Sequence, residues 1–152
     1  MYANGQREKV IATLDAADDL TIATVRADGF PQATTVSFVN DGDVIYFGTS
    51  GQSQKAQNIT RDNRVSVTIN PTYKSWSDIK GLSLGGRARR VSSPEELRKV
   101  FALMAEKFPQ ITQYVQPQSG EDLALYRIDP EVISILDYTR GFGHTEYVQV
   151  GR

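Results

Sequence analysis

Residues 46–64, YFGTSGQSQKAQNITRDNR, decide how this chain is read. A strand-like run ends at Gly48, and Gly48–Gln52 is too polar and Gly-rich for regular structure. Ser53 then stands as a helix N-cap, with Ala56 and Ile59 supplying a short apolar stripe to about Asp62. Backbone N–H groups in a first helical turn lack intrahelical partners and carry partial positive charge, so they attract a phosphate. The hydroxyls of Thr49 and Ser53 add donors there, and Lys55 adds a full charge. The Gly-x4-Gly-Lys-Ser/Thr spacing of a P-loop is missing. Taken alone, the same residues also describe a capped surface helix with a solvated lysine.

Upstream of that stretch the periodicity is mostly that of strands. Gln6–Ala17 places Val10, Ile11 and Leu14 on one helical face. Leu20–Ala27, Gln32–Val39 and Val44–Phe47 alternate and are rich in β-branched residues, with Asp28-Gly29 and Asn40-Asp41-Gly42-Asp43 as turns between them. Downstream, Arg64–Asn70 directs Val65, Val67 and Ile69 inward. Lys80–Val91 is strand-like, but Gly81, Gly85 and Gly86 predict a bulge or bend. Ser93-Pro94-Glu95-Glu96 opens a helix as a capping box, with Leu97, Val100, Phe101 and Met104 on its apolar face up to Phe108. A short helical piece at 110–115, a polar loop at 116–122 and two last strands, Leu123–Ile128 and Val132–Tyr138, complete the pattern. Residues 1–152 therefore read as one domain, mainly β with inserted helices, its six or seven strands forming a closed or split antiparallel barrel rather than a βαβ sheet.

Composition narrows the function. Seventeen Lys and Arg against eighteen Asp and Glu leave a net charge of −1, so no long-range field steers nucleic acid or an anionic membrane. Arg87, Arg89 and Arg90 near Tyr73 and Trp76 form one basic strand, with no basic stripe to continue it. With 0 cysteines and 1 histidine, thiol catalysis, Cys-based zinc sites and multi-histidine metal sites are excluded. No apolar stretch approaches a membrane span, and Met1–Gly5 leads into charge rather than a signal core, so the expected location is the cytoplasm. Redox or group-transfer chemistry here would come from a cofactor.

Gly29-x-Pro31, the hairpin, Tyr46-Phe47-Gly48-Thr49, Ser53-Gln54-Lys55, Asn58-Ile59 and Asp62-Asn63-Arg64-Val65 follow in an order that resembles the FMN-binding split-barrel family of pyridoxamine 5'-phosphate oxidase, in its general stress protein-like branch. The resemblance runs from about Leu20 to Val91. It implies a six-stranded split β-barrel whose homodimer holds FMN at the subunit interface. It implies that Thr34, Thr35, Val36 and Ser37 run under the flavin ring and ribityl chain. Phe47, Gly48 and Thr49 would line the ribityl and phosphate end, with Ser53, Gln54 and Lys55 on the phosphate. Lys80, Gly81 and Leu82 would approach the ring from the partner; beside the resemblance, Arg87 or Arg89, which share one face of their strand, would supplement the phosphate charge.

The departures are informative too. Gln32 and Gln54 stand where the family's oxidases place arginines, and the oxidase's C-terminal Arg-x-His-Asp-Arg run has no counterpart in YTRGFGHTEYVQVGR. The resemblance thus implies an FMN-dependent oxidoreductase acting on an unidentified small molecule, not a pyridoxamine-phosphate oxidase. A non-catalytic flavin sensor or store is the alternative, as is the same barrel holding F420 or haem. The tail Gly141-Phe142-Gly143-His144 is expected to fold over the flavin pocket, with Phe142 as its cover and His144 facing the ring as the catalytic group.

Overall fold

The computed structural model describes residues 1–114 and 122–151. Its strands, in chain order, are β1 (Asp19–Val25), β2 (Pro31–Asp41), β3 (Val44–Ser50), β4 (Arg64–Ile69), β5 (Lys80–Arg90), β6 (Leu123–Asp137) and β7 (Thr145–Gln149). They lie in the order β3-β2-β1-β4-β5-β6-β7, all neighbours antiparallel, and β3 also pairs with β6. That last pairing closes six strands into the expected barrel, with β7 added outside on β6.

Inward-facing Leu20, Ile22, Phe38, Phe47, Val67 and Leu84 fill the interior, as the alternation predicts. Helix α1 (Gln6–Ala16) contributes Val10 and Leu14 to this core from one end of the barrel, and α2 (Gln54–Arg61) contributes Ala56 and Ile59 from the other. Helix α3 (Pro94–Lys107) lies outside, packing Val100 and Met104 on Val39, Tyr46 and Leu125, and the short α4 (Ile111–Tyr114) follows it. Phe101 does not join that packing and is left exposed. The predicted polar loop at 116–122 lies, up to residue 121, outside the described residues.

Three expectations change. The two last strands are one strand, because Asp129-Pro130-Glu131, which reads as a turn, sits opposite a register shift at Gly85/Gly86. A Cβ on Gly86 would collide with the Asp129 carbonyl, so glycine lets the strands close up at the bulge. Proline needs no ladder N–H where register is already broken. Strand β3 runs on to Ser50, because Gly48, Thr49 and Ser50 find partners in Leu125, Ala124 and Leu123 of β6. The tail carries a seventh strand: Thr145–Gln149 pairs with β6, with Gly141 and Gly143 at positive φ between the strands.

The capping box is half formed. Ser93 Oγ accepts from the Glu96 amide at 3.1 Å, but the Glu96 carboxylate turns to the barrel. There it accepts from Tyr46 Oη (3.1 Å), Arg127 (3.1 Å) and both terminal nitrogens of Arg89 (3.1 and 3.2 Å). Burial pushes its pKa up, yet the bonds from Arg89, Arg127 and Tyr46 outweigh this and hold it below the ordinary glutamate value. A carboxyl with a depressed folded-state pKa stabilises the fold above its unfolded pKa, about 4.3, and loses that contribution as pH falls through the folded value. Wild type is therefore expected to exceed Glu96→Gln in urea midpoint at pH 7, with the gap closing below about pH 4. A gap constant down to pH 3 would show that the carboxylate charge contributes nothing.

Candidate functional site

The barrel is split at one seam. Residues Pro31–Ser37 of β2 pair with Val25–Asp19 of β1, but β3 joins β2 only at Phe38–Asp41. On its other side β3 pairs with β6 from Ile45 to Ser50, while its ladder to β2 stops at Phe38↔Phe47, so the second side of Pro31–Ser37 has no strand partner among the described residues. An open edge exposes unpaired backbone donors and acceptors. Along it Ala33, Thr35 and Ser37 are exposed, while Gln32, Thr34 and Val36 are half-buried.

At one end of this seam β3 delivers the loop quoted at the outset. The Ser53 amide donates to the Ser50 carbonyl at 3.0 Å, and the Gly51 amide to the Asp122 carbonyl at 2.7 Å. Ser53 Oγ accepts from the Ala56 amide (3.2 Å) and from Thr49 Oγ1 (3.1 Å). Both acceptor positions of that hydroxyl are thus used, and its own proton is left to donate outward. The amides of Gln54 and Lys55, in the first turn, have no intrahelical partner. Lys55 is half-buried, burial pushes its pKa down, and it has no anionic partner among the described residues. An ammonium held at a helix N-terminus without a counter-ion fits a bound anion.

Asn58 fixes the helix that carries this loop. It is fully buried; its Nδ2 donates to Thr24 Oγ1 (3.0 Å) and Gln32 Oε1 (3.1 Å), and its Oδ1 accepts from Gln54 Nε2 (2.8 Å). The two glutamines that replace the oxidase arginines are therefore joined through one buried amide. Asn58→Ala would remove the hydrogen bonds to Thr24, Gln32, Gln54 and Arg61, leaving the buried Thr24 hydroxyl without this partner, and an expected loss of about 2–3 kcal/mol follows. A urea midpoint unchanged from wild type would contradict it.

Thr34, Thr35, Val36, Ser37, Gly48, Thr49, Ser53, Gln54 and Lys55 all border the seam or its loop. The Phe47 side chain does not: it is buried in the barrel and stacked on Tyr126 at 5.4 Å. Arg87 is engaged elsewhere, donating to Glu131 (3.1 Å) and to Asn63 (3.2 Å), which lies past the far end of α2, about 12 Å from its start. Arg89 is held by Glu96.

Lys80, Gly81 and Leu82 open β5 at the opposite end of the barrel, Leu82 inside the core. His144 is at that end too. Its carbonyl accepts from the Asp137 amide (3.0 Å), and its Nε2 lies 3.7 Å from Glu146, which also binds Lys9 at 3.2 Å. Beside it Phe142 contacts Trp76 and Tyr138, with ring centroids 5.9 and 5.4 Å apart. Within one chain, therefore, His144 and Phe142 lie at the Lys80 end of the barrel, away from the Lys55 loop, because β7 ties the tail to β6 there.

The outer face that α3 leaves uncovered has an unusual surface. Register sets Thr35, Thr21, Thr68, Ser83, Ser134 and Tyr147 in one row across six strands, and Ala33, Ala23, Ser66, Gly85, Val132 and Gln149 in the next. Neither row contains a charge, and Val132 and Tyr147 are 51% and 79% exposed.

A closed barrel split at β2, with a capped helix start and Lys55 at the seam, defines a split-barrel fold. Residues 7–137 match the pyridoxamine 5'-phosphate oxidase family, and the chain belongs to it. It is 24% identical over 131 residues to general stress protein 26 of Bacillus subtilis, covering 86% of this chain and 88% of that one. The fold superposes on a haem-binding protein from Mycobacterium smegmatis with TM-score 0.81 and 18% identity, across 98% of this chain but only 60% of that longer one. It superposes on the haem storage protein HutZ of Vibrio cholerae with TM-score 0.67 and 25% identity, across 82% of this chain and 89% of that one. No helix among the described residues is long and apolar enough to cross a membrane.

Proposed function

We propose that two copies of this chain bind FMN at their interface and use it as a flavin-dependent oxidoreductase for a small molecule. The observation that carries this reading is Lys55, a half-buried ammonium with no counter-ion among the described residues, at the α2 N-terminus beside the open β2 edge. A phosphomonoester fits there: Lys55 supplies charge, Ser53 a free hydroxyl proton, and the Gln54 and Lys55 amides two further donors. The Thr34–Ser37 edge offers backbone groups to a planar heterocycle, orienting it against the barrel. Bound FMN supplies the hydride and electron chemistry that none of the chain's own side chains carries.

The uncharged rows on the outer face support a homodimer. A twofold contact must be self-complementary, and small hydroxyl and apolar side chains without charge meet their own copies with no repulsion. The expected interface is about 2,000 Å² or more in total. Lys80, Gly81 and Leu82, with the nearby Phe142 and His144, then act at the flavin bound by the other subunit. A role for His144 in proton transfer belongs to that arrangement.

The visible spectrum of the protein as purified, before and after denaturation, tests the cofactor. Released FMN is expected; a Soret band would replace this reading with haem, and F420 has its own distinct band. Anaerobic reduction by a nicotinamide donor, followed by reoxidation with candidate acceptors, separates an oxidoreductase from a sensor or store, which would not turn over.

A further inference from the structure

Between the seam and the α3–α4 corner lies a cavity of about 260 Å³. Val36, Met104, Phe108, Ile111, Leu123 and Leu125 line it. Among the described residues the Ser37 hydroxyl is the one polar side-chain group in the lining, and no charged side chain contributes. Gly48 forms part of its wall, where a Cβ would press to 3.1 Å from Leu125 Cδ2 and 3.3 Å from Leu123 Cδ1. A groove of this kind, open to solvent on one side, leaves its apolar walls without packing partners there. This one is held apart by the divergence of β2 from β3, which the ladder imposes.

We propose that this cavity takes a small, uncharged, ring-shaped ligand, mainly apolar, with one acceptor or donor for Ser37. Volume and chemistry set the class. An apolar cavity of about 150 Å³ holds benzene, so the space here suits one ring or two fused rings. A phosphate or carboxylate on the ligand would be desolvated against leucine, isoleucine and methionine with nothing to pair it. This excludes the phosphorylated substrate class that the family's name describes. Because Val36, Ser37 and Gly48 border both the cavity and the flavin-binding edge, the ligand is the substrate presented to FMN. That role rests on the flavin reading; occupancy of the cavity does not.

The test uses 1,4-naphthoquinone and its 2-sulfonate as an uncharged and charged pair, titrated calorimetrically into the purified protein with FMN present. The chain has no cysteine for a quinone to arylate. Naphthoquinone is expected to bind and the sulfonate to bind at least about tenfold more weakly. Ile111 is half-buried on the short α4, so Ile111→Glu puts a charge into the wall and should weaken naphthoquinone at least about tenfold, while Ile111→Leu restores it. Equal affinity for the two quinones, or unchanged affinity in Ile111→Glu, overturns the proposal. Competition between naphthoquinone and FMN also overturns it, since the cavity would then be part of the flavin's own pocket. Failure of FMN to bind at all would instead sink the flavin reading, while naphthoquinone binding would still report on the cavity.

Discussion

On the proposed reading, Ser83→Arg is expected to turn the proposed dimer into a monomer and to abolish the proposed flavin binding. Ser83 is exposed at the middle of the hydroxyl row, between Thr68 on β4 and Ser134 on β6. In the isolated chain an arginine there extends into water, so monomer stability should change by no more than about 0.5 kcal/mol. In a twofold interface the substitution occurs twice, and each guanidinium is buried among serine, threonine, alanine and glycine with no carboxylate in either row. Burying an unpaired charge costs about 3–5 kcal/mol, and the doubled cost moves dissociation from the nanomolar into the high micromolar range or beyond. Sedimentation at micromolar concentration reads the mass, and the visible spectrum of the same sample reads the cofactor. Ala102→Arg, on the exposed side of α3, is the control that should alter neither. A Ser83→Arg protein that stays dimeric would show that the uncharged face is not the interface.

The interior of the barrel was legible because its signal is local. Leu20, Ile22 and Thr24, or Val65, Val67 and Ile69, alternate within a few residues and all prove buried. The start of α2 was legible for the same reason: Ser53 caps it, glycine and hydroxyls precede it, and Lys55 follows within a turn. What stayed hidden depends on register between distant segments. Nothing near Ser83 announces that Thr68 and Ser134 flank it, so the uncharged face emerges only when six strands are aligned. Asn58 looks like any polar residue on a short helix until Thr24 and Gln32 are brought to it. Its one early signal was polarity in the apolar stripe next to Ile59. The Asp129-Pro130-Glu131 turn signal was real but overridden, because the bulge at Gly85/Gly86 absorbs it without ending the strand. The Gly-rich tail hid a strand: its glycines, at positive φ, make a connection between two paired strands, β6 and β7.

Lys55→Ala should weaken FMN binding by about 10- to 150-fold while leaving riboflavin binding unchanged. The magnitude is that of one hydrogen bond to a charged group, about 1.5–3 kcal/mol, converted to affinity. Riboflavin lacks the phosphate, so it reports on the Thr34–Ser37 edge alone. The lysine lies in the first turn of α2, half-buried and without a protein partner among the described residues, so its removal breaks no internal ion pair. Burial without a counter-ion already pushes its pKa down, because the charged form is the one that loses hydration. A bound phosphate favours the charged form and raises that pKa again. By linkage, FMN affinity in the wild type must fall as pH rises through the lowered Lys55 value. Lys55→Ala should remove that limb of the pH profile, and Lys55→Arg should keep binding strong to higher pH, since guanidinium does not titrate there. Equal losses of FMN and riboflavin affinity would assign Lys55 to the shape of the loop. No loss of either would move the phosphate away from α2, and with it the whole placement of the flavin along the seam.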